Sequence, residues 1–206
     1  MAKIGLKNFK YSILDDNFVP TTPASLGKAV SCQVSVTNNS AELYADDALA
    51  ESDYSFSKAT VTLGVDDEAD STFAELLGHT TEDGEVTCNT EDTAPYVAIG
   101  RIVTKIVGGE RKYKVEFLAK VKFQEPNQED TTKGETVEFT TSTIEGVASA
   151  LADGTWRKFK TFDDYEDASE YLTELLTAPT PPPAEEVNPP AEETTNPPAE
   201  ETTNPQ

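Results

Sequence analysis

The chain is poor in side chains that carry chemistry. Its 206 residues include one histidine, two cysteines, one methionine and one tryptophan. One histidine (His79) with two separated cysteines (Cys32 and Cys88) gives no pattern for a zinc site or a catalytic triad. His79 follows a predicted helix end, has no partner nearby in sequence, and reads as a group favourable to the helix dipole. Two cysteines make no disulfide framework, and each reads as a small buried thiol. No apolar run approaches the length of a membrane span. The opening MAKIGLKNFK alternates apolar and polar residues, unlike the apolar core of a signal peptide. The expectation is a cytosolic chain with no membrane contact.

Basic residues are also scarce, 16 against 38 acids, for a formal charge of −22. Six of the acids (Glu185, Glu186, Glu192, Glu193, Glu200 and Glu201) lie in residues 179–206, which hold no basic residue, so the remainder carries −16. Such a balance excludes tight wrapping of nucleic acid, which needs clustered Lys and Arg. It permits a surface past which DNA slides, and equally serves plain solubility. The motifs G-x-x-x-x-G-K-[ST], G-x-G-x-x-G and G-x-S-x-G are absent. Asp66, Asp67, Glu68 and Asp70 lack the alternation and central glycine of a calcium loop and read as a solvated turn. Acid pairs are too common here to mark a glycosidase. The sequence predicts no enzyme, no cofactor and no metal.

What is present is β-pattern. From Tyr113 to Phe123 the odd positions Tyr113, Val115, Phe117, Ala119, Val121 and Phe123 are apolar or small. The even positions Lys114, Glu116, Leu118, Lys120 and Lys122 are polar but for one. A period of two predicts a strand with one buried and one wet face. A polar turn follows, and a second run begins at Val137 and Phe139, so Lys112 to Gly146 predicts a long antiparallel ribbon. Further strands are predicted at 4–14, 28–37, 54–65 and 96–107, with short ones near Val86–Cys88 and 156–162. Gly108-Gly109 predicts a tight hairpin. Asn38-Asn39-Ser40 reads as a strand terminator, and residues 41–53 as a long, mobile or functional loop carrying Leu43 and Tyr44.

Two helices are predicted. In residues 71–78, Thr72 and Glu75 form a capping box, Phe73, Leu76 and Leu77 share a face, and Gly78 is the C-cap. In 163–177, Ala168, Tyr171, Leu172, Leu175 and Leu176 recur at helical spacing. Residues 179–206 contain PPAEETTN twice in tandem. Proline and self-repelling glutamate predict a disordered, extended tether there. The expected organisation is a β-rich domain over 1–162, an amphipathic helix over 163–178 and the extension over 179–206. The fold class is α+β, mostly β: two packed antiparallel sheets, as a sandwich or part-barrel, with one flanking helix.

Five stretches, in this order, carry a resemblance: AKIGLKNFKYS, LYADDALAE, TVTLGVDD, EDTAPYVAIG, and KVKFQEP through TTKGETVEFTTSTIEG. Over residues 2–146 the chain resembles the phi13-type major tail proteins, the tail tube proteins of non-contractile, long-tailed phages of Gram-positive bacteria. The resemblance implies a tail tube fold and a structural virion protein, assembled in the host cytoplasm and located in the virion tail. Six subunits would join edge to edge into a ring around a lumen. Stacked rings would form the conduit through which DNA is ejected without being specifically bound. It implies tape measure, tail terminator and distal tail proteins as partners. Leu43, Tyr44, Asp46 and Asp47 match the loop that contacts the adjacent ring. Tyr113, Val115, Phe117, Val121, Phe123, Val137 and Phe139 would form the barrel ribbon, and Glu116, Glu138 and Glu145 are candidate lumen acids. Two other readings remain: a surface β-sandwich adhesin with a Pro-rich stalk, and the tube protein of a contractile injection device.

Overall fold

The computed structural model describes residues 2–45, 48–66, 70–127 and 142–178. Those residues are mostly β, with two helices. In order they form β1 (Ala2–Leu14), β2 (Pro20–Ser25), β3 (Lys28–Ala45), β4 (Ala48–Asp66), α1 (Asp70–Leu77), β5 (Thr80–Glu82), β6 (Glu85–Thr87), β7 (Tyr96–Val107), β8 (Glu110–Gln124), β9 (Ser142–Ala148), β10 (Arg157–Phe162) and α2 (Tyr165–Leu175). The runs expected at Val137, Phe139 and Glu138, and the repeats from Pro179 onward, lie outside the described residues. No helix among the described residues is long and apolar enough to cross a membrane.

The main strands pair antiparallel in one continuous sheet of order β2-β1-β7-β8-β9-β4-β3, with β10 also on β8. β5 and β6 form a separate two-stranded hairpin. Two packed sheets, as a sandwich or part-barrel, were the expectation for the main body. Instead the single sheet turns back on itself, and residues from β1, β7 and β8 meet residues from β4 and β9 in one core. Tyr11, Val61, Leu63, Val97, Ile99, Leu118, Val121 and Ile144 are fully covered there, and α1 adds Leu76 and Leu77. The helix ends where Gly78 takes φ +79 and the His79 amide bonds the Ala74 carbonyl at 2.8 Å. This is the six-to-one bond of a Schellman turn. The predicted capping box does not form: Thr72 lies inside the first turn, and Glu75 accepts the Tyr11 hydroxyl at 2.6 Å.

A second core lies on the outer side of β7 and β8. There α2 and its C-cap residue Leu176 bury Ala168, Leu172 and Leu176 against Ala98, Ile102, Val115, Phe117 and Ala119. Close approach of α2 needs a missing side chain at Gly100, where an added Cβ would stand 2.2 Å from Leu172 Cδ1. Leu172 is fully buried and has nowhere to move. Gly100→Ala is therefore expected to cost about 1–3 kcal/mol, read as a lower midpoint in chemical denaturation with unchanged slope.

The ribbon differs from its sequence pattern in two ways. The predicted single buried face of β8 is divided between the cores. Val115, Phe117 and Ala119 pack with α2, whereas Leu118, Val121 and Phe123 point into the main core. The cause is a bulge: Val97 pairs Val121, but Ile99 pairs Leu118. One extra residue reverses which face the later positions take. Nor is β9 the main partner of β8. It pairs only Val121–Gln124, because β10 occupies Tyr113–Leu118 on that side. From Ala59 to Val65 it is β4 that β9 pairs.

Candidate assembly interface

Residues 28–45 and 48–66 show the largest departure from the sequence reading. Asn38-Asn39-Ser40 does not stop β3, and residues 41–45 and 48–53 are strand rather than loop. The chain continues as strand to Ala45, and β4 returns from Ala48, with pairs running from Lys28↔Asp66 to Ala45↔Ala48. Ala, Asn and Asp are weak strand formers, but a ladder satisfies backbone groups whatever the side chains are. A register shift at Thr37/Asn38 absorbs the change in pattern.

Part of this hairpin stands away from the body. Phe56 stacks on Trp156 with ring centroids 4.4 Å apart and planes 10° from parallel. Beyond that stack, residues 38–42 and 51–55 are all exposed, Tyr54 at 63%. Both faces of the arm are therefore wet. A lone two-stranded ribbon is marginally stable in water. Leu43 and Tyr44 pair Glu51 and Leu49 through their backbones. The side chains of Leu43 and Tyr44, and Asp46 and Asp47 entirely, lie outside the described residues.

The outer edge of β3 is unpaired: among the described residues no strand pairs with it on the side away from β4, although β1 comes close to part of β3. From Ala29 to Ala41 the edge reads AVSCQVSVTNNSA, without a charge, a proline or a glycine. Edge strands of monomers usually carry lysine, proline or bulges that prevent pairing with another chain. At the opposite border β2 carries Pro20 and Pro23, whereas β3 carries one such device, a bulge at Val30 near its start. In so charged a chain the uncharged run along β3 is the exception. Val30 and Val36 are about half exposed on it, at 52% and 46%.

The candidate lumen acids separate. Glu145 is exposed and accepts Gln124 Nε2 at 3.3 Å. Glu138 lies outside the described residues. Glu116 is not on a wet face: it is 3% exposed and held by three cations. Arg101, its cross-strand partner, donates to Oε2 at 2.5 Å, while Lys114 and Arg157 reach Oε1 at 2.5 and 3.0 Å. Arg101 also points Nη1 at the Cys32 sulfur, 2.8 Å away. Burial alone would raise the Glu116 carboxyl. The Lys114 hydrogen bond and the Arg101 and Arg157 charges outweigh it and hold it at about 2. For Cys32 burial dominates and pushes the thiol up despite Arg101. The alternation of β8 placed Glu116 on the solvent side, but before the bulge that face, shared with Leu118, is the one turned toward the main core. The cluster is a structural tie between β7, β8 and β10.

His79 has partners the sequence did not reveal. Nδ1 lies 2.8 Å from Asp92 Oδ2 and Nε2 lies 3.1 Å from Glu125 Oε2. The Asp92 hydrogen bond, then that of Glu125, raises its pKa against the opposing effect of burial. Cys88, expected to be buried, is exposed, and Cys32 is half-buried.

No protein-family model matches the sequence, and no curated protein is significantly similar to it.

Proposed function

We propose that the chain is a self-assembling structural subunit, and that it builds the tube of a phage tail from stacked hexameric rings. The observation that supports this most strongly is the unpaired, uncharged edge of β3. Backbone donors and acceptors along it are best satisfied by another copy of the chain. A head-to-tail contact of this kind closes into a ring and removes every edge. The ring number and the phage setting rest on the resemblance of residues 2–146. Tape measure, terminator and distal tail partners rest on the same resemblance. The buried position of Glu116 removes it from any inner wall, which leaves Glu145 as an exposed candidate beside Glu138.

In this reading β3 provides the contact around the ring, and the projecting arm provides the contact between rings. Negative-stain electron microscopy of the purified chain at increasing concentration tests it. Hollow rings or tubes are expected; monomers at every concentration would reject the proposal. A second prediction concerns the arm. Leu43 and Tyr44 each contribute roughly 1.5–3 kcal/mol if buried against the next ring. The double variant Leu43→Ser/Tyr44→Ser is expected to form single rings that do not stack. Full-length tubes from that variant would show that the arm tip is not the axial contact.

A further inference from the structure

The end of α1, the β5–β6 hairpin and the end of β8 converge on one point. The Schellman turn delivers His79, Cys88 follows β6 directly, and Glu125 follows β8. One donor atom from each of the three lies within 4.8 Å of the others. A fourth residue, Asp92, sits behind the histidine, 2.8 Å from Nδ1. It is itself fixed by the Asn89 backbone amide at 2.8 Å.

We propose that His79, Cys88 and Glu125 bind a divalent transition-metal ion of the zinc class, with Asp92 as the positioning residue behind the histidine. An Nδ1–H donated to Asp92 leaves the Nε2 lone pair for the metal, the usual arrangement behind zinc-bound histidines. Imidazole, thiolate and carboxylate together suit zinc; calcium and magnesium take oxygen sets. Zinc bonds of about 2.0–2.2 Å to nitrogen and oxygen put two donors of one tetrahedral ion roughly 3.3 Å apart. His79 Nε2 and Glu125 Oε2 stand 3.1 Å apart. Cys88 is exposed, at the end of a three-residue strand, so its sulfur has room to close the remaining distance. The Glu125 side chain is 61% exposed, which leaves solvent access for the ion. Three protein ligands leave a fourth position for water. The ion would clamp the end of α1 to the end of β8.

The test uses the full chain, titrated with zinc by calorimetry and with cobalt(II) by absorbance. The expected result is one equivalent bound, a thiolate-to-cobalt charge-transfer band, and a Tm raised by zinc and lowered by chelator. Cys88→Ser should abolish the band, whereas Cys32→Ser should leave it. Asp92→Asn, with all three ligands intact, should weaken zinc about 10–100-fold. Absence of stoichiometric binding would overturn the proposal. A band that survives Cys88→Ser, or zinc affinity unchanged in Asp92→Asn, would do the same. Because none of the four residues belongs to β3, loss of metal binding and loss of assembly can be scored separately.

Discussion

Glu116→Gln is expected to lower the unfolding free energy by about 3–5 kcal/mol at neutral pH. Three cations converge on this carboxylate, which is only 3% exposed. Removing its charge leaves Arg101, Lys114 and Arg157 facing one another with little water to screen them. The pH dependence has a definite sign. The folded-state pKa of Glu116 is depressed from 4.5 to about 2. Its stabilisation is therefore complete above pH 4.5 and disappears as the pH falls from there through 2. The gap between wild type and Glu116→Gln in urea unfolding should narrow over that window, by on the order of 3 kcal/mol. A gap below 1 kcal/mol at pH 7, or one that does not change on acidification, would mean that solvent already screens the cluster. The paired replacement Glu116→Leu/Arg101→Met should cost less than Glu116→Gln, because the most buried of the three cations leaves with the carboxylate and the two that remain, Lys114 and Arg157, are partly exposed.

Val36→Lys is expected to suppress assembly while leaving the subunit folded. Val36 is on the unpaired edge and 46% exposed in the monomer, so a lysine there can keep its charge in water. Once a second strand pairs with β3, that charge must be desolvated at each contact of a ring. A cost of 1.4 kcal/mol per contact already means a tenfold change in equilibrium constant. The concentration needed for polymer should therefore rise at least about tenfold, measured by sedimentation. Circular dichroism and the denaturation midpoint should stay close to wild type. Assembly at the wild-type concentration would remove β3 from the interface.

The sequence disclosed the elements whose local signals agree with their tertiary setting. β7 occupies Tyr96–Val107, and Gly108-Gly109 turns into β8 with φ of 62° and 90°. Alternation, glycine placement and pairing coincide there. Three things escaped because they depend on distant partners. β2 was hidden by Pro20 and Pro23, which an outermost strand tolerates and a central one does not. The arm was hidden by its own composition, since a ribbon exposed on both faces shows no alternation between apolar and polar residues. The bulge in β8 was hidden because a run of odd apolar positions looks the same whether it serves one core or two. Of the candidate site residues on β8, Val115, Phe117, Val121 and Phe123 are buried, toward both sides, and Tyr113 is half-buried. Glu116 became a structural anchor, and the grouping of His79 with Cys88, Asp92 and Glu125 had no signal in sequence spacing.

Amide hydrogen exchange along β3, compared between monomer and concentrated sample, examines the central claim most directly. The outward-facing amides of Ala29–Ala41 should exchange rapidly in the monomer and become strongly protected when copies associate. Equal, rapid exchange in both samples would contradict it, because the edge would then have no partner to receive.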